Sequence, residues 1–212
     1  MYKILAKYKY HWGSREFRRA VFSSFFLFIA SLIVQHFATD YADLKAGNYV
    51  HDIILDNFPV VNVDDVLNYG VQFFGLFIIG CLFFDPKRIP FVFKSLALFF
   101  LIRSFAITLT HLGPAPVITN IDPHDLLADL VSGNDFFFSG HTGAPFLLAL
   151  IFWNEKWIRN VSLVACVVFA SAVLLGHLHY SIDVFAAFFI TYTIFHLAMK
   201  FFPNDYKLFQ HT

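Results

Sequence analysis

The chain has 212 residues and a formal net charge of zero; 58% of it is hydrophobic, 20% aromatic and only 14% charged, with a mean hydropathy of +0.63. A soluble domain carries about 25% charged residues, so this composition excludes a particle coated with polar surface. With no net positive charge there is no basic field to attract nucleic acid, and none is expected as a partner.

In chain order, six apolar runs approach the length of about 20 residues that a membrane-crossing helix needs. They are Phe17–Phe37, Val66–Phe84, Phe91–Thr110, Ser139–Trp153, Asn160–Gly176 and Ser181–Phe202. The expected fold is therefore all-α: a single-domain, six-transmembrane-helix bundle over residues 1–212. The first run is too long for a secretory h-region and lacks a clear small-residue cleavage site, so no cleavable leader is expected. Asp85–Pro90 and Asn154–Arg159 are tight linkers, whereas Ala38–Asp65 and His111–Phe138 are long enough to fold over a membrane surface. Cys81 and Cys166 both lie in apolar runs and read as small core residues rather than a disulfide framework.

Basic residues set an orientation, because cytoplasmic loops retain Lys and Arg. Lys3, Lys7, Lys9, Arg15, Arg18 and Arg19 precede the first run. Lys87 and Arg88 follow the second, Lys156 and Arg159 the fourth, and Lys200 and Lys207 mark the C-terminal end. The opposite side has Lys45 and no Lys or Arg in His111–Phe138. Both termini are expected in the cytoplasm. The outer loops are instead acidic: Asp52, Asp56, Asp64, Asp65, Asp122, Asp125, Asp129 and Asp135, with His124. Most of these read as solvated loop residues.

Two short segments place polar residues where a membrane tolerates them poorly. Ser139-Gly140-His141-Thr142 opens the fourth run, and His177-Leu178-His179-Tyr180-Ser181-Ile182-Asp183 opens the sixth. In a six-span chain both starts face outward. His179 and Asp183 are four apart, on one face if the chain is helical there. A carboxylate on Nδ1–H fixes an imidazole's tautomer and supports its cation, leaving Nε2 to attack. His141 is a candidate acid/base, and the backbone N–H groups after Ser139 and Gly140 suit a phosphate oxygen. These parts fit phosphoryl transfer through a phosphohistidine.

Each residue also has a plainer role open to it. A lone interfacial histidine is usually a packing residue, and Asp183 alone complements a helix dipole. A metal reading exists too, since His177, His179, His141 and Asp183 make four donors, but no cysteine or second carboxylate completes a familiar pattern. Arg103, inside the third run, either snorkels to the interface or pairs with a phosphate or an outer-loop carboxylate.

At these residues the sequence resembles the sphingomyelin synthase branch of the type 2 phosphatidate phosphatase superfamily. Asn134-Asp135-Phe136-Phe137-Phe138-Ser139-Gly140-His141-Thr142 is similar to its Gly-Asp-aromatic-Ser-Gly-His-Thr motif, with Asn134 where glycine is usual. His177-Leu178-His179-Tyr180-Ser181-Ile182-Asp183-Val184 is similar to its His-x-His-Tyr-Thr-Ile/Val-Asp-Val motif. Arg103 through Thr110 to Pro114 and Pro116 resembles a third, looser motif.

The resemblance implies His179 as nucleophile, His141 as acid/base and Asp183 as the group orienting His179. Arg103, Asp135, Ser139, Gly140 and Tyr180 complete the candidate substrate-binding set. It further implies a ping-pong cycle with no metal or other cofactor. A phospholipid donates its phospho-head group and a lipid alcohol, ceramide or diacylglycerol, accepts it.

The Lys-x6-Arg-Pro and Ser-Arg-x5-His motifs of the simple lipid phosphatases are absent; Ser171-Ala172 is the nearest serine upstream of His179. Fewer cations suit a phosphodiester, which favours head-group transfer over phosphatidate hydrolysis. The alternatives are a lipid phosphatase or phospholipase C-like hydrolase with the same residues, and a non-catalytic lipid-binding or transport bundle. Asp122, Asp125, Asp129 and Asp135 are candidates for holding a cationic amine. The short chain suggests a bacterial inner-membrane protein with its site facing the periplasm, or a Golgi or plasma-membrane lumenal face in a eukaryote. Oligomeric state is left open, a homo-oligomer included.

Overall fold

The structure, a computed structural model, describes residues 2–119 and 136–210. Among these the chain is helical: α1 (Tyr2–Gly13), α2 (Arg15–Lys45), α3 (Asp64–Phe84), α4 (Ile89–Ile107), α5 (Gly140–Ile151), α6 (Lys156–Leu175), α7 (Ser181–Phe201) and α8 (Pro203–Gln210), with a 3-10 turn at Pro86–Arg88. Local chemistry sets the boundaries. Ser14 breaks α1 from α2 in an extended conformation, and its Oγ accepts from Phe17 N–H, satisfying one orphan donor of the first turn. Pro90 stands in the first turn of α4, where its missing N–H costs nothing.

Among the described residues, five helical segments are long and apolar enough to cross a membrane: α2, α3, the 3-10 turn with α4, α6 and α7. Their outward faces carry Phe22, Phe26, Phe73, Phe105, Phe185 and Phe189, each more than half exposed. Apolar surface of that extent marks contact with lipid rather than water, and the chain is an integral membrane protein.

The fourth expected span, Ser139–Trp153, differs from the rest. Its helix has 12 residues, about 18 Å long, against a hydrocarbon thickness of about 30 Å. It contains Pro145, which has no N–H to give the carbonyl of His141, and it ends in a turn at Phe152. The space beneath that turn is filled by α8, whose Phe209 ring lies 5.3 Å from Phe152 and 5.8 Å from Phe91. The first expected span is too short instead: α2 continues past Phe37 to Lys45, so the connection to α3 is shorter than Ala38–Asp65.

The core is layered around α5. α2 packs along α4, while α5 lies between α6 and α7 and touches α4; α3 rests on α6. Phe91, Phe99, Phe138, Leu147, Phe152 and Ile194 form its centre. Phe99 meets Phe138 edge-to-face at 5.5 Å and 86°, a geometry worth about 0.5–1.5 kcal/mol beyond area. Gly143 lets α5 come this close. A Cβ there would stand 2.7 Å from the Phe99 ring and 2.8 Å from Thr191 Oγ1. Cys166 is buried and Cys81 half-buried, both as free thiols. At one end of the bundle α1, the 3-10 turn and α8 meet; at the other, the starts of α5 and α7 meet.

Candidate active site

The backbone joins the two polar segments directly: Ser139 N–H donates to the carbonyl of Asp183 at 3.1 Å. Ser139 is the N-cap of α5, its Oγ accepting from Thr142 N–H at 3.3 Å. This local bond starts α5 one residue before His141 and aims its first turn at the start of α7.

His179 does not sit on a helix. It precedes α7, in an irregular stretch where His177 adopts the left-handed region at φ 58°, a conformation uncommon for a residue with a Cβ. His177 Nε2 faces the Phe58 carbonyl at 3.1 Å, which ties the kink to the α2–α3 loop. Asp183 stands in the first turn of α7 and is wholly buried. Its Oδ2 lies 3.3 Å from His179 Nδ1 and accepts from Tyr180 N–H at 3.1 Å. The expected four-residue spacing thus works through helix capping rather than through one helical face. The other carboxylate oxygen, Oδ1, is buried and has no hydrogen-bond partner among the described residues.

The His141 and His179 rings face each other with centroids 6.3 Å apart. Phe136 presents its edge to His179 at 6.1 Å and 90°. Arg103, only 5% exposed, does not snorkel. It turns into the bundle, and its Nε donates to the Phe138 carbonyl at 3.3 Å. Gly140 makes room for it, since a Cβ there would lie 3.1 Å from Arg103 Nε. Arg103, Gly140 and His141 share one wall of a cavity of about 490 Å³ between α2, α3, α4, α5 and α6. The rest of the wall combines apolar Leu32, Val71, Phe74, Phe100, Leu148 and Phe169 with polar Gln35, His36, Thr39, Asp40 and Asp43 from the outer half of α2.

Tyr180 is buried, and its hydroxyl donates to the Gly113 carbonyl at 2.6 Å and accepts from Val50 N–H at 3.2 Å. Its ring stacks on Tyr49. Burial pushes the phenol pKa up, with Asp183 and Asp52 adding to the rise. Asp135, together with Asp122, Asp125 and Asp129, lies outside the described residues. Among the described residues, no group of three or more His, Cys, Asp or Glu is placed to hold a metal ion.

Asp52, expected to be a solvated loop residue, is 8% exposed. Its Oδ2 accepts from Ser181 N–H at 2.8 Å and Ser181 Oγ at 2.7 Å; its Oδ1 accepts from Ile54 and Leu55 N–H. Burial raises its pKa, but these hydrogen bonds outweigh burial and leave it below the ordinary carboxylate value. Asp52 therefore caps α7 from a distant loop. Tyr49 braces the same loop through Asp56, a hydrogen bond that pushes its phenol up to about 12.

The fold and site define a class: an integral membrane protein with two histidines and a buried aspartate joined at one end of the bundle. Residues 132–200 match the family model described as PAP2 superfamily C-terminal, a stretch that contains His141, His179 and Asp183. The match supports the type 2 phosphatidate phosphatase superfamily and an enzyme of the lipid phosphatase/phosphotransferase type, without distinguishing among branches. No curated protein and no solved structure matches the chain.

Proposed function

We propose that this protein is a sphingomyelin synthase-like lipid phosphotransferase. It moves a phosphocholine- or phosphoethanolamine-type head group from a phospholipid to ceramide or diacylglycerol. The observation that carries this reading is the cavity, in which His141 and Arg103 share a wall with apolar side chains of the spanning helices. Its apolar side suits acyl chains, and Arg103 with His141 suits a phosphate.

In the first half-reaction, Nε2 of His179 attacks phosphorus while Asp183 holds Nδ1–H. The bond from phosphorus to the diacylglycerol oxygen breaks, and His141 protonates that oxygen. In the second, the acceptor hydroxyl gives its proton to His141 as its oxygen attacks phosphorus. The P–N bond breaks and His179 leaves as the neutral imidazole. Arg103, the backbone N–H groups after Ser139 and Gly140, and Asp135 contribute to phosphate and head-group binding. The buried, doubly bonded hydroxyl of Tyr180 favours a positioning role for that residue over direct substrate contact.

The distribution of basic residues supports six spans, with α5 as the short one, both termini cytoplasmic and the site facing outward. A bacterial inner membrane with a periplasmic site fits this arrangement. Incubation of the purified protein with head-group-labelled phospholipid plus ceramide or diacylglycerol tests the reading. Label in a new lipid supports transfer. Label found only in water-soluble phosphate or phospho-alcohol replaces transfer with hydrolysis, and no turnover by wild type leaves a binding bundle.

A further inference from the structure

Two glycines on α3 meet different surroundings. A Cβ at Gly70 would stand 2.9 Å from the Phe169 ring, so Gly70 is where α3 comes against α6; a Cβ at Gly75 would meet nothing within 4 Å. Gly75 lines the cavity that also holds Arg103 and His141. Among the described residues α2 and α3 form no packed interface with each other, since α2 packs along α4 and α3 rests on α6. At the end away from the site α1 bridges them, and the Tyr8 hydroxyl donates to the Phe83 carbonyl at 3.1 Å. Nearer the site the cavity continues between the two helices. On α2, Leu32 lines it while Ile33 faces out; on α3, Gly75 lines it while Leu76 faces out. Both outward residues are more than half exposed, on the surface that meets lipid.

We propose that a hydrocarbon chain of the lipid substrate enters sideways through this cleft and lies along α3 from Val71 to Gly75. The placement of its phosphate at Arg103 and His141 rests on the catalytic reading. The chain's route, its direction and a role for Gly75 in chain length go beyond it.

Helix register gives the cavity a long axis. Its wall runs from His141 to Leu148 on α5, about 10 Å, and from Asp43 to Leu32 on α2, about 16 Å. The Ser104 hydroxyl donates to Gln35 Oε1 at 3.1 Å, which sets the neighbouring Arg103 level with Gln35. On α2, Thr39, Asp40 and Asp43 therefore lie on the loop side of Arg103, and Leu32 lies deeper. Polar groups, a cation and apolar side chains thus follow one another along the span. A phospholipid standing in a bilayer has the same order of head group, phosphate and chain.

The cleft also sets the path. A chain drawn through water exposes each CH2 at a cost, whereas passage between two lipid-facing helices keeps it in hydrocarbon. Gly75 stands about 16 Å along α3 from Asp64. A long acyl chain reaches that depth and a short one does not, so the space left by the missing side chain serves long chains.

The test uses the full chain with His179→Ala, so that nothing is turned over, in neutral detergent micelles. Phosphatidylethanolamine with a photoactivatable diazirine on a palmitoyl chain is titrated, and the same probe with hexanoyl chains is titrated separately. Gly75→Trp fills the cleft. Gly80→Trp puts the same ring on α3 away from the cavity, where a Cβ likewise meets nothing within 4 Å.

Saturable palmitoyl labelling that maps to Leu32 or to Val71–Gly75 supports the groove in the starting protein, whatever the variants do to folding. At least tenfold weaker palmitoyl binding in Gly75→Trp, with less than threefold loss for the hexanoyl probe and a change within twofold in Gly80→Trp, supports Gly75 as the chain-length residue. Equal weakening in both tryptophan variants, labelling that does not saturate, or labelling confined to other residues overturns the proposal. Turnover by wild type is read separately. Saturable label in the cleft without turnover keeps the groove and removes the chemistry, and turnover with label elsewhere does the reverse.

Discussion

The two ends of the bundle handle ionisable groups in opposite ways. At the site end, Asp183 and His179 are almost fully buried, and one carboxylate is fixed by an imidazole and a backbone N–H. At the basic end, several cations share Asp85 at the rim of a wide cavity. The first arrangement permits a single geometry, as chemistry on a bound phosphate requires. The second tolerates many geometries, as orientation in a bilayer allows. Burying a charge near lipid is expensive in either place, so rigid satisfaction at one end and loose sharing at the other point to different uses.

The sharpest way to break this contrast is His179→Ala. We expect turnover to fall about a thousandfold or more, whereas Lys9→Gln with Lys156→Gln, at the exposed basic end, stays within about twofold. Comparable losses in a head-group transfer assay would erase the distinction between the ends. Asp183→Asn should lower kcat by about 10²–10⁴. It should also loosen the first turn of α7, visible as faster amide exchange at Tyr180; a change in rate with no change in exchange would separate the two duties of the carboxylate.

Asp52→Ala leaves the donors of Ser181, Ile54 and Leu55 without their acceptor and should destabilise the folded protein by about 1–3 kcal/mol. Its pH dependence has a defined sign. The folded pKa lies below the unfolded value of about 3.9. The stabilisation is therefore complete above that value and disappears as pH falls through the lowered one. Melting curves of Asp52→Asn should lack that part of the acid loss. The smallest effect is expected from Gly140→Ala, where Arg103 must shift by a few tenths of an ångström. We predict a drop of about fivefold in kcat/KM with unchanged thermal stability.

Much of the bundle could be read from the sequence, because five of its helices are continuous apolar runs. His141, His179 and Asp183 stood out for the same reason, as polar groups at the edges of such runs. Other features left weaker traces. α1 and α8 carry mixed polar and apolar residues at the membrane surface, and only tertiary packing, such as Phe209 on Phe152 and Phe91, gives them a place. α2 outruns its apolar segment because packing, with Ala38 and Ala42 buried, holds Thr39–Lys45 helical after hydropathy fades. Asp52 looked like any loop aspartate, since its partner Ser181 is 129 positions away. The acidic stretch with Asp122, Asp125 and Asp129, a candidate for head-group choice, lies outside the described residues.

One carboxylate oxygen of Asp183 holds both the imidazole of His179 and the amide of Tyr180, the N-cap of α7. Fraying of that helix end and misalignment of His179, the proposed nucleophile, are therefore a single molecular event. Heat, detergent or a bilayer of the wrong thickness that unwinds one turn would silence the enzyme well before the bundle melts. Loss of activity on mild stress would then report the order of four residues, His179 to Ile182, rather than the stability of the fold.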